Sequence, residues 1–157
     1  MSKAIFIFDL DGTVIDSSHR VPLTQSGNLH LSRYKRESMS KEKIFADTLY
    51  PLARFMKLLI EKNLCHVWIC TAREMTQSDF DFLAIHSIKP KIILSRPIDD
   101  TRPDKILKKQ LLNKLFNLKQ YRNSKKYMFE DSVTVTEELK QQGIKMLSPD
   151  FLRLVSK

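Results

Sequence analysis

Ala4-Ile5-Phe6-Ile7-Phe8-Asp9-Leu10-Asp11-Gly12-Thr13 is the stretch on which the fold turns. Its apolar half is a continuous run of β-branched and aromatic residues. Such a run reads as a short strand buried on both faces, as in a parallel sheet. Two carboxylates follow at i and i+2, where the strand ends. Open α/β sheets place their ligands beyond the carboxyl ends of their strands. Gly12 allows the sharp turn that leaves the strand. An aspartate that attacks phosphorus needs a cation to screen its charge and a second carboxylate to handle the leaving-group proton. Asp9 and Asp11 supply that pair.

Further short apolar runs lie at Leu64–Cys70, Lys91–Leu94, Tyr127–Phe129 and Ile144–Leu147. Between them the apolar residues recur at helical spacing. Pro51 suits a first helical position, with Leu52, Phe55, Met56, Leu59 and Ile60 on one face. Thr76 can cap a helix that carries Phe80, Leu83 and Ala84. Pro103 can open another, with Ile106, Leu107, Leu111 and Leu115 inward. Ser132 can cap a last one, with Gly143 just past its end. Strands alternating with helices predict an α/β fold, a doubly wound, mostly parallel five-stranded sheet. One domain is expected over residues 1–157. The polar stretch from Ser17 to about Met39 breaks the alternation. It reads as a loop or small excursion near the site, too short for an independent cap domain.

A chain of 157 residues can bury roughly 68–70% of its unfolded surface, so it needs no staples. Hydrophobic content of 42% with 29% charged residues is ordinary for a globular protein. No apolar run approaches the ~20 residues of a membrane helix, and the first apolar run is too short for a secretory leader. A cytoplasmic location with no membrane partner is expected. Cys65 and Cys70 are five apart on one strand and point to opposite faces, so they read as buried free thiols. His19, His30, His66 and His86 show no zinc-ligand spacing, and Trp68 reads as core. The net charge of +9 favours polyanionic partners.

The chemistry-bearing residues resemble, in order, the motifs of the haloacid dehalogenase-like superfamily. Phe8-Asp9-Leu10-Asp11-Gly12-Thr13 resembles its first motif. Thr71, after Val67-Trp68-Ile69-Cys70, resembles the second, a hydroxyl that hydrogen-bonds the phosphate. Glu130-Asp131, after Tyr127-Met128-Phe129, resembles the acidic pair that holds Mg²⁺. Within that superfamily, Arg96, Asp100, Arg102, Asp104 and Lys108 spell R-x-x-x-D-x-R-x-D-x-x-x-K. That string is similar to one in the 3′-phosphatase domain of phage polynucleotide kinase-phosphatases. Thr71-Ala72-Arg73-Glu74 resembles the [ST]-G-R-E of the same branch, with Ala72 in place of the usual glycine, and Asp47 and Pro51 match its layout.

The resemblance implies a Rossmann-like core with minimal or no cap and a phospho-aspartyl intermediate on Asp9. Asp11 would act as acid and then base. Mg²⁺ would be held by Asp9, Asp131 and the backbone carbonyl of Asp11, with Glu130 a direct or water-mediated ligand. Lys108 would balance the charge during transfer, with Lys105 as its rival for that part. Asp104, at i, i+4, could hold Lys108 by an ion pair. Arg73, Arg96 and Arg102 have the fork geometry for phosphate oxygens. Removal of 3′-phosphates from DNA or RNA ends is the expected activity, and a 5′(3′)-nucleotidase acting on free (deoxy)nucleoside monophosphates is the alternative. The partner is therefore a phosphorylated nucleic-acid end or a nucleotide. No G-x-x-x-x-G-K-[ST] is present, so no kinase half is expected. A non-catalytic binding module on the same fold is disfavoured, because all the motif positions are filled.

Overall fold

The computed structural model describes residues 2–20 and 39–150. Most of the polar stretch 17–39, and with it His30, lies outside the described residues. Five strands form one sheet: β1 (Ile5–Phe8), β4 (His66–Cys70), β5 (Ile92–Leu94), β6 (Lys126–Phe129) and β7 (Lys145–Leu147). Their order is β5-β4-β1-β6-β7, and every pairing is parallel. A small antiparallel pair, β2 (Ile15–Asp16) and β3 (Thr48–Leu49), follows the first strand. The helices are α1 (Lys41–Phe45), α2 (Leu52–Lys62), α3 (Gln77–Ile85), α4 (Asp104–Phe116) and α5 (Val133–Lys140). No described helix is long and apolar enough to cross a membrane.

Strand alternation splits the core in two. Phe8, Val67, Ile69 and Phe129 face one side and pack with Ile44, Leu52, Met56, Phe82 and Leu83 of α1, α2 and α3. Ile5, Ile7, Trp68, Cys70 and Met128 face the other and pack with Leu112, Phe116, Val135 and Leu139 of α4 and α5. The sheet is thus covered on both faces, as its continuous apolar strands require. Cys65 and Cys70 fall in opposite layers and are free thiols. Trp68 stacks on Phe116 at 5.9 Å between ring centroids, inside the core.

The caps form at the expected residues. Thr76 and Asp79 make a reciprocal capping box at the start of α3, and Ser132 accepts from the Val135 N–H at the start of α5. Gly143, at φ +75°, follows α5. The inward faces of two helices differ from expectation. On α3, Phe82 and Leu83 are buried, while Phe80 and Ala84 are exposed. On α4, Leu107, Leu112 and Phe116 are buried, and Ile106, Leu111 and Leu115 only partly. The reason is the same in both cases: a charged residue takes an inward position, Asp79 on α3 and Lys108 on α4.

Candidate active site

The central strand β1 lies between β4 and β6, so the carboxyl ends of the three sit side by side. The chain segments that carry Asp9, Thr71 and Glu130-Asp131 are thereby gathered from distant parts of the sequence. The Asp9 N–H donates to the Phe129 carbonyl at 3.0 Å, and the Thr71 N–H to the Leu94 carbonyl at 2.9 Å. Beyond Asp11 the chain turns back at once. The Gly12 N–H donates to the Ile15 carbonyl and the Ile15 N–H to the Leu10 carbonyl.

Asp9 is buried and its two carboxylate oxygens have different partners. Oδ2 accepts from the Thr13 hydroxyl at 3.0 Å. Oδ1 accepts from Lys108 Nζ at 2.7 Å, and the same ammonium donates to Glu130 Oε2 at 2.6 Å. Burial alone would lower the Lys108 pKa, but the two carboxylates overcome it and keep the lysine charged. Burial pushes Asp9 well above the usual carboxylate range, with Lys108 pulling it down and Glu130 adding to the rise. Glu130 is raised by burial in the same way, against Lys108. Two buried carboxylates therefore share one ammonium, and the site has room for more positive charge. Lys105 is exposed, so Lys108 is the lysine that reaches Asp9.

Among the described residues, Asp9, Glu130 and Asp131 form one acidic group whose ligand atoms all lie within 4.8 Å of one another. An all-oxygen, acidic donor set of this kind suits Mg²⁺. Gly12 makes the arrangement possible. It sits at φ +78°, and a Cβ there would stand 2.1 Å from Asp131 Oδ2. The loop can come this close to the Asp131 carboxylate only with glycine at that position.

Asp11 is more open, its side chain 38% exposed. The Ser17 hydroxyl donates to its Oδ1 at 2.5 Å, Arg73 Nε donates to its Oδ2 at 3.1 Å, and Arg73 Nη2 contacts its Oδ1. Loss of solvent would raise the Asp11 pKa, but the Arg73 guanidinium and the hydrogen bonds from Arg73 and Ser17 outweigh it and hold the carboxyl below its ordinary value. Arg73 Nη1 donates to Asp79 at 2.6 Å, and Arg73 Nη2 lies 3.7 Å from Asp47. Arg20 binds Asp47 through two bonds of 2.8 and 2.9 Å, joined by His19 at 2.8 Å.

The arginine string after β5 serves the loop that carries it. Arg96 donates to the carbonyls of Ala72, Asp100 and Arg102 at 2.7, 3.0 and 2.7 Å. It also binds Asp104 at 2.7 Å. Arg102 pairs with Asp100 and contacts Gln110. Asp99, at φ +62°, donates its N–H to Glu74 at 3.1 Å. These bonds stitch the 95–103 loop to Thr71-Ala72-Arg73-Glu74. The expected Asp104–Lys108 ion pair does not form. Asp104 is 60% exposed in its side chain and turns to Arg96, while Lys108 points inward. Ala72 has no positive φ, so the usual glycine is not needed there. Thr71 is buried and its hydroxyl oxygen accepts from the Arg73 N–H at 3.1 Å.

Sequence reasoning missed Asp79, Arg20, Ser17 and Thr13. Asp79 was legible as the fourth residue of a T-x-x-D capping box. A lone arginine or serine in a polar stretch carries no periodic signal, so Arg20 and Ser17 had none.

The fold is similar to that of haloacid dehalogenase-like hydrolases of known structure. The fold matches a chain of the Pnkp1/Rnl/Hen1 RNA repair complex with a TM-score of 0.68 at 19% identity, over 94% of this chain and 42% of that one. It also matches a putative phosphatase from Clostridium difficile with a TM-score of 0.69 at 19% identity, over 94% and 85% of the two chains. The chain belongs to the bacteriophage T5 5′-deoxynucleotidase family, whose profile matches residues 1–153. The 5′-deoxynucleotidase of Escherichia phage T5 is 43% identical over 82 residues, 50% of this chain and 33% of that protein. This chain thus aligns with about a third of the length of that curated relative.

Proposed function

We propose that this protein is a Mg²⁺-dependent phosphomonoesterase that removes the phosphate of deoxynucleoside 5′-monophosphates through an aspartyl-phosphate on Asp9. The observation that carries the chemistry is the buried Lys108 bridging Asp9 and Glu130, with Asp131 beside them. Family membership supports the substrate.

Asp9 attacks phosphorus in line through the oxygen that faces the substrate. Thr13 and Lys108 hold its carboxylate so that only one orientation is available. Lys108 stays charged and offsets the negative charge gathering on Asp9 and the phosphoryl oxygens. Asp11, ionised at rest beside Arg73, passes the proton of a monoanionic substrate phosphate to the leaving ester oxygen and then takes one from the water that splits the aspartyl-phosphate. Asp9, Asp131 and Glu130, with the Asp11 backbone carbonyl, would hold Mg²⁺, which when bound adds Lewis-acid stabilisation of the phosphoryl oxygens. Thr71 would donate its hydroxyl to the phosphate. Arg73, Arg96, Arg102 and Asp104 are the side chains proposed for substrate contact, either directly or by shaping the 95–103 loop around it.

Removal of 3′-phosphates from nucleic-acid ends is the second reading. The R-x-x-x-D-x-R-x-D-x-x-x-K string and the +9 charge favour it.

Phosphate release with Mg²⁺ from deoxynucleoside 5′-monophosphates, 3′-monophosphates, and 3′- and 5′-phosphorylated oligonucleotides separates these readings. Fastest release from the 5′-mononucleotides, abolished in Asp9→Asn, is the expected result. Release mainly from 3′-phosphorylated oligonucleotides, with steep loss in salt, would replace the substrate reading. Unchanged activity in Asp9→Asn would sink the mechanism.

A further inference from the structure

We infer that Asp79 is a positioning residue for Asp11: the side chain that caps α3 also anchors Arg73, and through Arg73 it sets where the Asp11 carboxylate sits. The inference rests on the reading that Asp11 moves protons in phosphoester hydrolysis.

The three carboxylates around Arg73 are not equivalent. Asp79 is 2% exposed in its side chain, and its Oδ2 is tied to the Thr76 N–H at 2.7 Å and the Thr76 hydroxyl at 2.9 Å. Asp47 is wholly buried and held by Arg20. Asp11, 38% exposed, is the open one of the three. Arg73 itself is 3% exposed, and its fork spans the set, with Nη1 on Asp79 and the Nε and Nη2 edge on Asp11. The two buried carboxylates therefore fix the plane of the guanidinium, and the exposed Asp11 aligns on what they fix.

A capping box needs one side-chain oxygen at this position. Asp79 uses Oδ2 for the cap and spends Oδ1 on Arg73. The second bond contributes nothing to the helix end, and it joins the cap of α3 to the residue two positions beyond the nucleophile. Without it the buried cation turns to the carboxylates that remain, and Asp11 moves with it. A misplacement of about 1 Å at a reacting group costs on the order of 100-fold in rate.

Asp79→Asn and Thr76→Ala separate this role from capping. Both weaken the α3 cap. Asparagine has a single side-chain oxygen and cannot satisfy Thr76 and Arg73 together, whereas Thr76→Ala leaves the Arg73–Asp79 pair intact. The readouts are kcat and KM for a deoxynucleoside 5′-monophosphate with Mg²⁺, the melting temperature, and the ¹H–¹⁵N signal of Arg73 Nε in the full chain. At comparable loss of melting temperature, Thr76→Ala keeps kcat near wild type. Asp79→Asn lowers kcat by roughly 10–100-fold with KM changed less, and displaces the Arg73 signal. Asp79→Glu, which keeps two oxygens, recovers part of the rate and stands in should Asp79→Asn fail to fold. Equal losses of kcat in Asp79→Asn and Thr76→Ala, or an Arg73 signal unmoved in Asp79→Asn, would overturn the inference. If the wild-type protein releases no phosphate from any substrate, the proposed activity falls, and the Arg73 signal alone still decides the anchoring.

Discussion

Lys108 Nζ lies 2.7 Å from Asp9 Oδ1 although 99 residues separate the two in sequence, and the same ammonium lies 2.6 Å from Glu130. All three side chains are buried. Removing one partner of such a set leaves uncompensated charge in a low-dielectric site. Lys108→Met is expected to destabilise the metal-free protein by about 3–5 kcal/mol, and Mg²⁺ to recover part of the loss by supplying positive charge to the same carboxylates. Urea unfolding with and without Mg²⁺ measures both effects. Unchanged metal-free stability would mean that Asp9 and Glu130 take up protons in place of the lysine.

Gly12 is the second point at which one atom decides the site. A methyl group there meets Asp131 Oδ2 at 2.1 Å, and the backbone stands at φ +78°. Gly12→Ala is therefore expected to push Asp131 away from Asp9 and Glu130, weakening Mg²⁺ binding by roughly 10–100-fold, the scale seen when groups supporting a metal site are lost. A Mg²⁺ titration followed by calorimetry tests this directly. Wild-type affinity in Gly12→Ala would show that Asp131 is not a ligand.

Asp100 supplies a dependence on pH outside the Asp9–Lys108–Glu130 cluster. Hydrogen bonds from the Arg102 side chain and backbone bring its pKa from 3.8 to about 2. The folded-state value is depressed, so the stabilisation is fully present above pH ~4 and is lost as the pH falls towards ~2. Asp100→Asn should melt below wild type at neutral pH, and the two melting curves should converge as the pH is lowered through that window. A constant gap down to pH 2 would refute the Arg102–Asp100 contribution.

The thiols offer a test of burial. Cys70 is pushed up to about 12 by burial, with Lys108 opposing, and Cys65 is raised by burial against Lys3. Thiolate is the reactive form. Iodoacetamide at pH 8.5 should leave both cysteines unmodified in the folded protein and label both in urea, read by mass spectrometry. Rapid labelling of Cys70 in the native state would contradict its place in the core.

Much of this was legible in the chain itself. The apolar runs located the five strands of the sheet, because a strand covered on both faces must be apolar throughout. Thr76 and Ser132 marked helix starts, because capping is local chemistry between residues three apart. Asp9 and Asp11 stood out because they close a strand, and Thr71, Glu130 and Asp131 were picked out by the resemblance of their motifs. What failed were the inward faces of α3 and α4. Apolar periodicity assigns buried positions to apolar residues, and here Asp79 and Lys108 occupy them.

The arginine string shows where sequence pattern stops. Its residue types gave a resemblance, and its spacing predicted an Asp104–Lys108 pair along one helix face. The folded chain instead brings Arg96 onto Asp104 and onto the carbonyls of the Thr71–Glu74 turn. A helical i, i+4 pair is worth only about 0.2–0.5 kcal/mol, too little to hold Lys108 when buried carboxylates are within reach.

The sequence by itself determined the parallel α/β architecture, the helix caps and the Asp9–Asp11 pair at the end of the first strand, since these follow from periodicity and from chemistry between near neighbours. Tertiary structure decided which charges meet: Lys108 with Asp9 and Glu130, Arg73 across Asp11 and Asp79, Gly12 against Asp131. Those meetings depend on the strand order β4-β1-β6, which sets distant segments side by side. No spacing within one segment encodes that order.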